Sequence, residues 1–166
     1  FSSSNKMKDF DSRYMFIKKG YNVRLTDLAS AIGIEQLKKL NFINTKRRKN
    51  AKYLSNLLSE FNEIYIPKPK KDHTCAYYGF PILLNDKSFS RKHLCNFLEK
   101  NNIETRPIFG GCLPDQPAFH KQVHRISGNL NVSRFVKNNA FFIGVHAALE
   151  KKHFDKIYFT FKKFFR

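Results

Sequence analysis

Apolar positions along the 166-residue chain change period several times, and each change predicts an element. From about Thr26 to Leu40, the residues Leu28, Ala31, Ile32, Leu37 and Leu40 approximate a helical stripe. Thr26 is a candidate N-cap, and Asp27 suits the positive end of a helix. Asn41 predicts a bend. A longer helix then carries Phe42, Ile43, Ala51, Leu54, Leu57, Leu58 and Phe61, basic in its first half and amphipathic in its second. Pro67 and Pro69, interleaved with Lys68, Lys70 and Lys71, read as a crossover and divide the chain into residues 1–66 and 67–166.

Beyond the crossover, Tyr77 to Leu84 reads as a strand that Pro81 confines to an edge or a bulge. Ser90 caps a helix holding Leu94, Phe97 and Leu98, which Asn101-Asn102 ends. Ile103 to Phe109 is a second strand, closed by Gly110-Gly111. Pro114, Pro117 and Gly128 mark a long loop before a short helix near Ser133 to Asn139. A strand, Phe141 to Val145, and a helix, Glu150 to Phe165, complete the chain, the helix with Phe154, Ile157, Tyr158, Phe161 and Phe165 on one stripe. This order predicts an α+β fold with helices packed on one face of a small sheet. Residues 1–19 read as an irregular lead-in.

Composition narrows the class. The hydrophobic content of 42% argues against disorder, and no run approaches the roughly 20 apolar residues of a membrane span. The chain begins with Phe1 and shows no charged-then-apolar leader, which reads as a fragment. Cys75, Cys95 and Cys112 are widely spaced, with no CxxC and no zinc or cluster pattern, so they read as free thiols of a reducing, cytoplasmic compartment. No metal is assigned. The net charge of +18 raises the alternative of a nucleic-acid-binding module. The basic residues are scattered, however, over Lys18-Lys19, Lys38-Lys39, Lys46 to Lys49, Lys151-Lys152 and Lys162-Lys163, mostly at positions read as solvated helix faces, and no nucleic-acid motif accompanies them.

The stretch Gly20-Tyr21-Asn22-Val23-Arg24-Leu25-Thr26-Asp27 places a turn and two polar side chains beside a helix start. Such a turn suits an anionic ligand such as a phosphate, or is an ordinary loop.

This segment, continued as Leu28 to Leu40, resembles the DegT/DnrJ/EryC1/StrS family of sugar-nucleotide aminotransferases and dehydrases. The resemblance continues through Tyr78-Gly79-Phe80-Pro81-Ile82, Ile103 to Gly111, Gln116-Pro117-Ala118-Phe119 and Asn138 to Val145, in family order over nearly the whole chain. The last three motifs look most like the 3-dehydrase branch, which acts on nucleotide-linked 4-keto-6-deoxy sugars. The resemblance implies the C-terminal part of a fold-type I enzyme that uses pyridoxal or pyridoxamine phosphate, working as a homodimer in surface-polysaccharide synthesis such as that of O-antigen. A plain sugar-nucleotide aminotransferase is the alternative in the same family, and an inactive remnant is another.

Residue by residue, the resemblance implies that Asn22 reaches the cofactor phosphate of the neighbouring subunit. Arg24 falls at the substrate end of the same shared site. Arg106, at a strand end in Glu104-Thr105-Arg106-Pro107, binds substrate or is a buried structural arginine. Tyr14 and Tyr78 are candidates for lining a sugar pocket or for ordinary packing. His146 follows a strand that the family brings near the cofactor; His120 and His124 are weaker candidates in the long loop. No catalytic residue is assigned: the lysine or histidine that meets the cofactor lies upstream in family members, so the chain alone is expected to be inactive.

Four departures gather around the substrate loop. Cys112 stands where the dehydrase branch has Asn. Asp115 stands where it has a basic residue. Asn131-Val132-Ser133-Arg134 replaces Pro-Asn-Thr-Asp, and Ala147-Ala148 replaces Pro-Gly. They imply a different substrate or a drifted copy.

Overall fold

The computed structural model describes residues 21, 23, 25–119 and 123–166, which fall in two compact units, 1–38 and 39–166. Asn22, Arg24, Tyr14 and His120 lie outside the described residues.

Helix α1 runs unbroken over Asp27–Leu58. It starts as its sequence predicts: the Thr26 hydroxyl accepts from the Ala29 N–H at 3.3 Å, and Asp27 sits in the first turn. The bend expected at Asn41 is absent. A single Asn costs a helix interior only about 0.7 kcal/mol relative to Ala, too little to end one of this length. In the first unit Leu28, Ile32 and Leu37 stay exposed; in the second, Ala51, Leu54 and Leu58 are buried.

The second unit is an antiparallel sheet of four strands in the order β1-β2-β4-β3, with β1 Ile64–Tyr65, β2 Phe80–Leu84, β3 Thr105–Pro107 and β4 Ala140–Ile143. Helices α2 (Arg91–Lys100), α3 (Asn131–Asn139) and α4 (Lys151–Phe165) complete it. The period of two decides which way the strands face. Phe80, Ile82 and Leu84 of β2, with Phe141 and Ile143 of β4, turn inward against Leu54, Leu58, Leu94, Leu98, Phe154, Ile157 and Phe161 from α1, α2 and α4. Each such side chain contributes roughly 1.5–3 kcal/mol by leaving water. The α+β class, with helices packed on one face of a small sheet, is therefore what the chain forms.

Two strand expectations change. β1 went unread, because two residues between a turn and Pro67 carry no periodic pattern. β2 is an interior strand, although Pro81 was expected at an edge or a bulge. The contradiction resolves locally. β1 reaches only Leu83 and Leu84, so Pro81, opposite Phe142 of β4, has no strand on its other side and loses no ladder bond there.

Candidate functional site

The alternation that fills the core also builds a site on the opposite face of the sheet. Ile103, Thr105, Phe141, Ile143 and Val145 are buried. The residues between them, Glu104, Arg106, Phe142, Gly144 and His146, point the other way and line a concavity of about 510 Å³. Tyr78, Pro107, Val145 and Phe109 complete its wall. Antiparallel pairing sets Arg106 directly opposite Phe142. Three sequence candidates, Tyr78, Arg106 and His146, thus come together in one place.

Arg106 is 66% exposed and its Nε donates to Glu104 Oε1 at 2.8 Å. It is therefore not a buried structural arginine. Glu104 occupies one side of its planar fork and leaves other donors free for an anion. Tyr78, 76% exposed, stacks on Phe109, which is 78% exposed, with centroids 6.2 Å apart and an interplanar angle of 27°. Phe142 meets the Tyr78 ring edge-on at 5.8 Å. Nothing local in the sequence marks Phe109 for this place, whereas the alternation of Phe141 with Phe142 is the signal for the second.

Close packing behind this wall fixes a glycine. A Cβ on Gly79 would stand 2.1 Å from the Phe142 ring, so the backbone there must be bare. Strain marks both sides: Tyr77 and Phe109 sit at φ 39° and 42°, a region that bulky residues rarely occupy.

Helix α1 holds two parts of the rim from behind. Arg47 Nη1 donates to the carbonyls of Tyr77 and Tyr78 at 2.7 and 3.0 Å. Asn50, one turn on and buried, donates its side-chain amide to the His146 carbonyl at 2.8 Å. Arg47 belongs to the basic run read as a solvated helix face. The structure corrects that reading for this residue, since its guanidinium is engaged with two main-chain carbonyls.

The chain departs from the family pattern at Asp115 in the loop after β3 and at Arg134 on α3, and the fold brings those two residues together. Arg134 Nη2 and Lys137 Nζ reach the Asp115 carboxylate at 3.0 and 2.8 Å. The two cations hold its pKa well below the usual carboxylate range. Cys112 is buried, whereas Cys75 is exposed. Among the described residues no group of three His, Cys, Asp or Glu could hold a metal ion. No described helix is long and apolar enough to cross a membrane.

A scan of family models matches the DegT/DnrJ/EryC1/StrS aminotransferase family over residues 2–162. The chain belongs to that family. Among curated relatives it is 34% identical to a dTDP-4-dehydro-2,6-dideoxy-D-glucose 3-dehydratase of Saccharopolyspora spinosa, over 89% of this chain and 32% of that protein. It is 32% identical to the lipopolysaccharide biosynthesis protein RfbH of Salmonella typhimurium, over 94% of this chain and 36% of that one. The chain therefore spans about a third of the length of the curated family members it matches. Among solved structures, an E. coli GDP-4-keto-6-deoxy-D-mannose-3-dehydratase with bound hydrated PLP superposes with a TM-score of 0.82 at 27% identity, over 95% of this chain and 40% of that one. A variant of GDP-4-keto-6-deoxymannose-3-dehydratase with bound GDP-perosamine superposes with a TM-score of 0.83 at 28% identity, over 95% and 40%. The sequence resemblance and the fold thus lead to one family.

Proposed function

We propose that this chain is the C-terminal portion of an enzyme that removes the C3 hydroxyl of a nucleotide-linked 4-keto-6-deoxy sugar, in the making of a surface polysaccharide. The single observation that carries this reading is the concavity in which Arg106, Tyr78 and His146 converge on the open face of the sheet. The 3-dehydratases among the relatives, matched over most of this chain, support the branch. Transamination is the second reading, favoured by the relatives named GDP-perosamine synthase, which match 54% and 58% of the chain.

In this reading Arg106 pairs with the substrate's phosphates, displacing part of its contact with Glu104. Tyr78 offers an aromatic face to the apolar side of the ligand, and His146 offers an imidazole at the rim. Arg24 and Tyr14 join the same substrate site, and Asn22 meets the cofactor phosphate. The cofactor is pyridoxal or pyridoxamine phosphate. The described residues of the concavity are not fitted to hold it: their one carboxylate, Glu104, is engaged by Arg106 and leaves none to pair the pyridine nitrogen. Its holders lie elsewhere in the protein, and the chain alone is inactive. The homodimer and the cytoplasmic setting belong to the same proposal. The apolar residues Leu28, Ile32 and Leu37, exposed in the single chain, support assembly with further polypeptide.

The test uses the whole protein, loaded with pyridoxamine phosphate and given GDP- or dTDP-linked 4-keto-6-deoxy sugar. Loss of one oxygen from the sugar's mass, matched by conversion of pyridoxamine phosphate to pyridoxal phosphate and weakened at least about tenfold in kcat/KM by Arg106→Ala, is the expected result. Transfer of an amine instead moves the assignment to the second reading. No change in either sugar overturns both.

A further inference from the structure

Phe109 stands in the left-handed region with its ring exposed, and it needs a support outside its own turn. The supports converge on one carboxylate. Gln116 Nε2 donates to the Gly110 carbonyl at 2.7 Å, and the Gly111 N–H donates to the Ile108 carbonyl at 3.0 Å. These close the turn that carries Phe109. The residue before Gln116 is Asp115, whose carboxylate accepts from Arg134 on both oxygens and from Lys137 on Oδ2. Both cations lie on α3, three residues apart and so on one helix face. The stem of Lys137 also lies along Gly111, where a Cβ would stand 2.8 Å from its Cγ; Gly111 has φ 63°. Helix α3 runs straight into β4, the strand that carries Phe142 and leads to His146.

From this geometry we infer that Asp115 is a positioning residue for the concavity: by clamping the loop to α3 it fixes Phe109 on Tyr78 and so sets the affinity for a nucleoside diphosphate ligand. The inference rests on the proposed substrate class for its readout, though the clamp itself does not. Asp115 touches no part of the concavity wall; it acts through Gln116, Gly110 and Phe109. The charges are arranged to hold rather than to bind. Both cations are spent on Asp115, and the aromatic face they support is left open to solvent.

The experiment measures two quantities on the whole protein: amide hydrogen exchange of the peptide spanning Phe109–Gly111, and the dissociation constants of GDP and dTDP. Asp115→Asn keeps the shape and removes the charge. The expected result is faster exchange in that peptide and nucleotide binding weakened about tenfold, with thermal unfolding nearly unchanged. The reversed pair, Asp115→Arg with Arg134→Asp, is expected to recover affinity to within about threefold, which a loss of general stability would not allow. Phe109→Ala provides the limit, since it removes the ring the clamp positions. Wild-type affinity in Asp115→Asn alongside weak binding in Phe109→Ala overturns the inference and leaves the proposed function standing. So does failure of the reversed pair to recover anything. If the wild type binds neither nucleotide, the substrate reading fails, and unchanged exchange in Asp115→Asn then overturns the clamp separately.

Discussion

The side-chain amide of Asn50 donates to the carbonyl of His146 at 2.8 Å across 96 residues of sequence. A residue buried in the middle of a long helix thereby sets the end of a strand on which a site residue stands. Substituting Asn50→Ala removes the donor and leaves a carbonyl short of its partner inside the fold. A loss of about 1–3 kcal/mol in unfolding free energy is expected. Urea unfolding at constant slope checks it, and a change under about 0.3 kcal/mol shows that Asn50 does not anchor the strand end.

Arg47 performs the corresponding task at Tyr77 and Tyr78, and there the geometry of the guanidinium matters more than its charge. Arg47→Lys keeps the positive charge but cannot span two successive carbonyls in the same way. It is expected to lose about 1 kcal/mol, and Arg47→Met about 2 kcal/mol. Equal stability of the lysine variant and the parent, read from thermal unfolding, shows that charge alone suffices.

Gly79 is predicted to tolerate no side chain while Phe142 remains. The ring atom 2.1 Å from an added Cβ must move. Gly79→Ala is expected to cost about 1–3 kcal/mol through overpacking. The double variant Gly79→Ala with Phe142→Leu is expected to be more stable than Gly79→Ala alone, since the leucine retreats from the contact. Additive losses in a double-mutant cycle contradict the close approach.

These positions show what the sequence disclosed and what it withheld. The inward alternation of Phe141, Ile143 and Val145 was legible, and so was the stripe of Phe154, Ile157 and Phe161, because each repeats at its element's own period. The site was legible only where chemistry was distinctive, at Arg106, Tyr78 and His146. Arg47 sits between Lys46 and Arg48 in a run of cations, and nothing local separates the one that turns inward from those that do not. Phe109 is one phenylalanine among 18, and its role depends on a left-handed turn that no pattern announces. The pairing of Asp115 with Arg134 was hidden for another reason. Each was read singly as a departure, whereas their meaning lies in the distance between them.

The three thiols are predicted to differ in reactivity by exposure. Cys75 is exposed, Cys112 is buried, and burial pushes the Cys95 thiol up from its ordinary pKa. At pH 8 a thiol-reactive disulfide is expected to label Cys75 at least about tenfold faster than the other two, and all three equally in denaturant. Peptide mass spectrometry at timed quench points identifies the sites. Rapid labelling of Cys112 contradicts the burial of its side chain.

Acid titration reads the contact of Asp115 with its two cations. An ordinary aspartate has a pKa near 3.9, roughly the value Asp115 takes when the chain unfolds. Arg134 and Lys137 face it in the fold and bond its ionised form, so the folded value lies well below. The sign follows from proton linkage. The unfolded state binds the proton first as pH falls, so the stabilisation is fully present above about pH 4 and is lost progressively below it. Carbon NMR of the Asp115 carboxyl is therefore expected to show an ionised group at pH 3. A midpoint near 3.9 for Asp115 in the folded protein means that neither cation holds it. In Asp115→Asn the acid limb of loop protection is expected to flatten between pH 4 and 2, because the group whose protonation released the loop is gone.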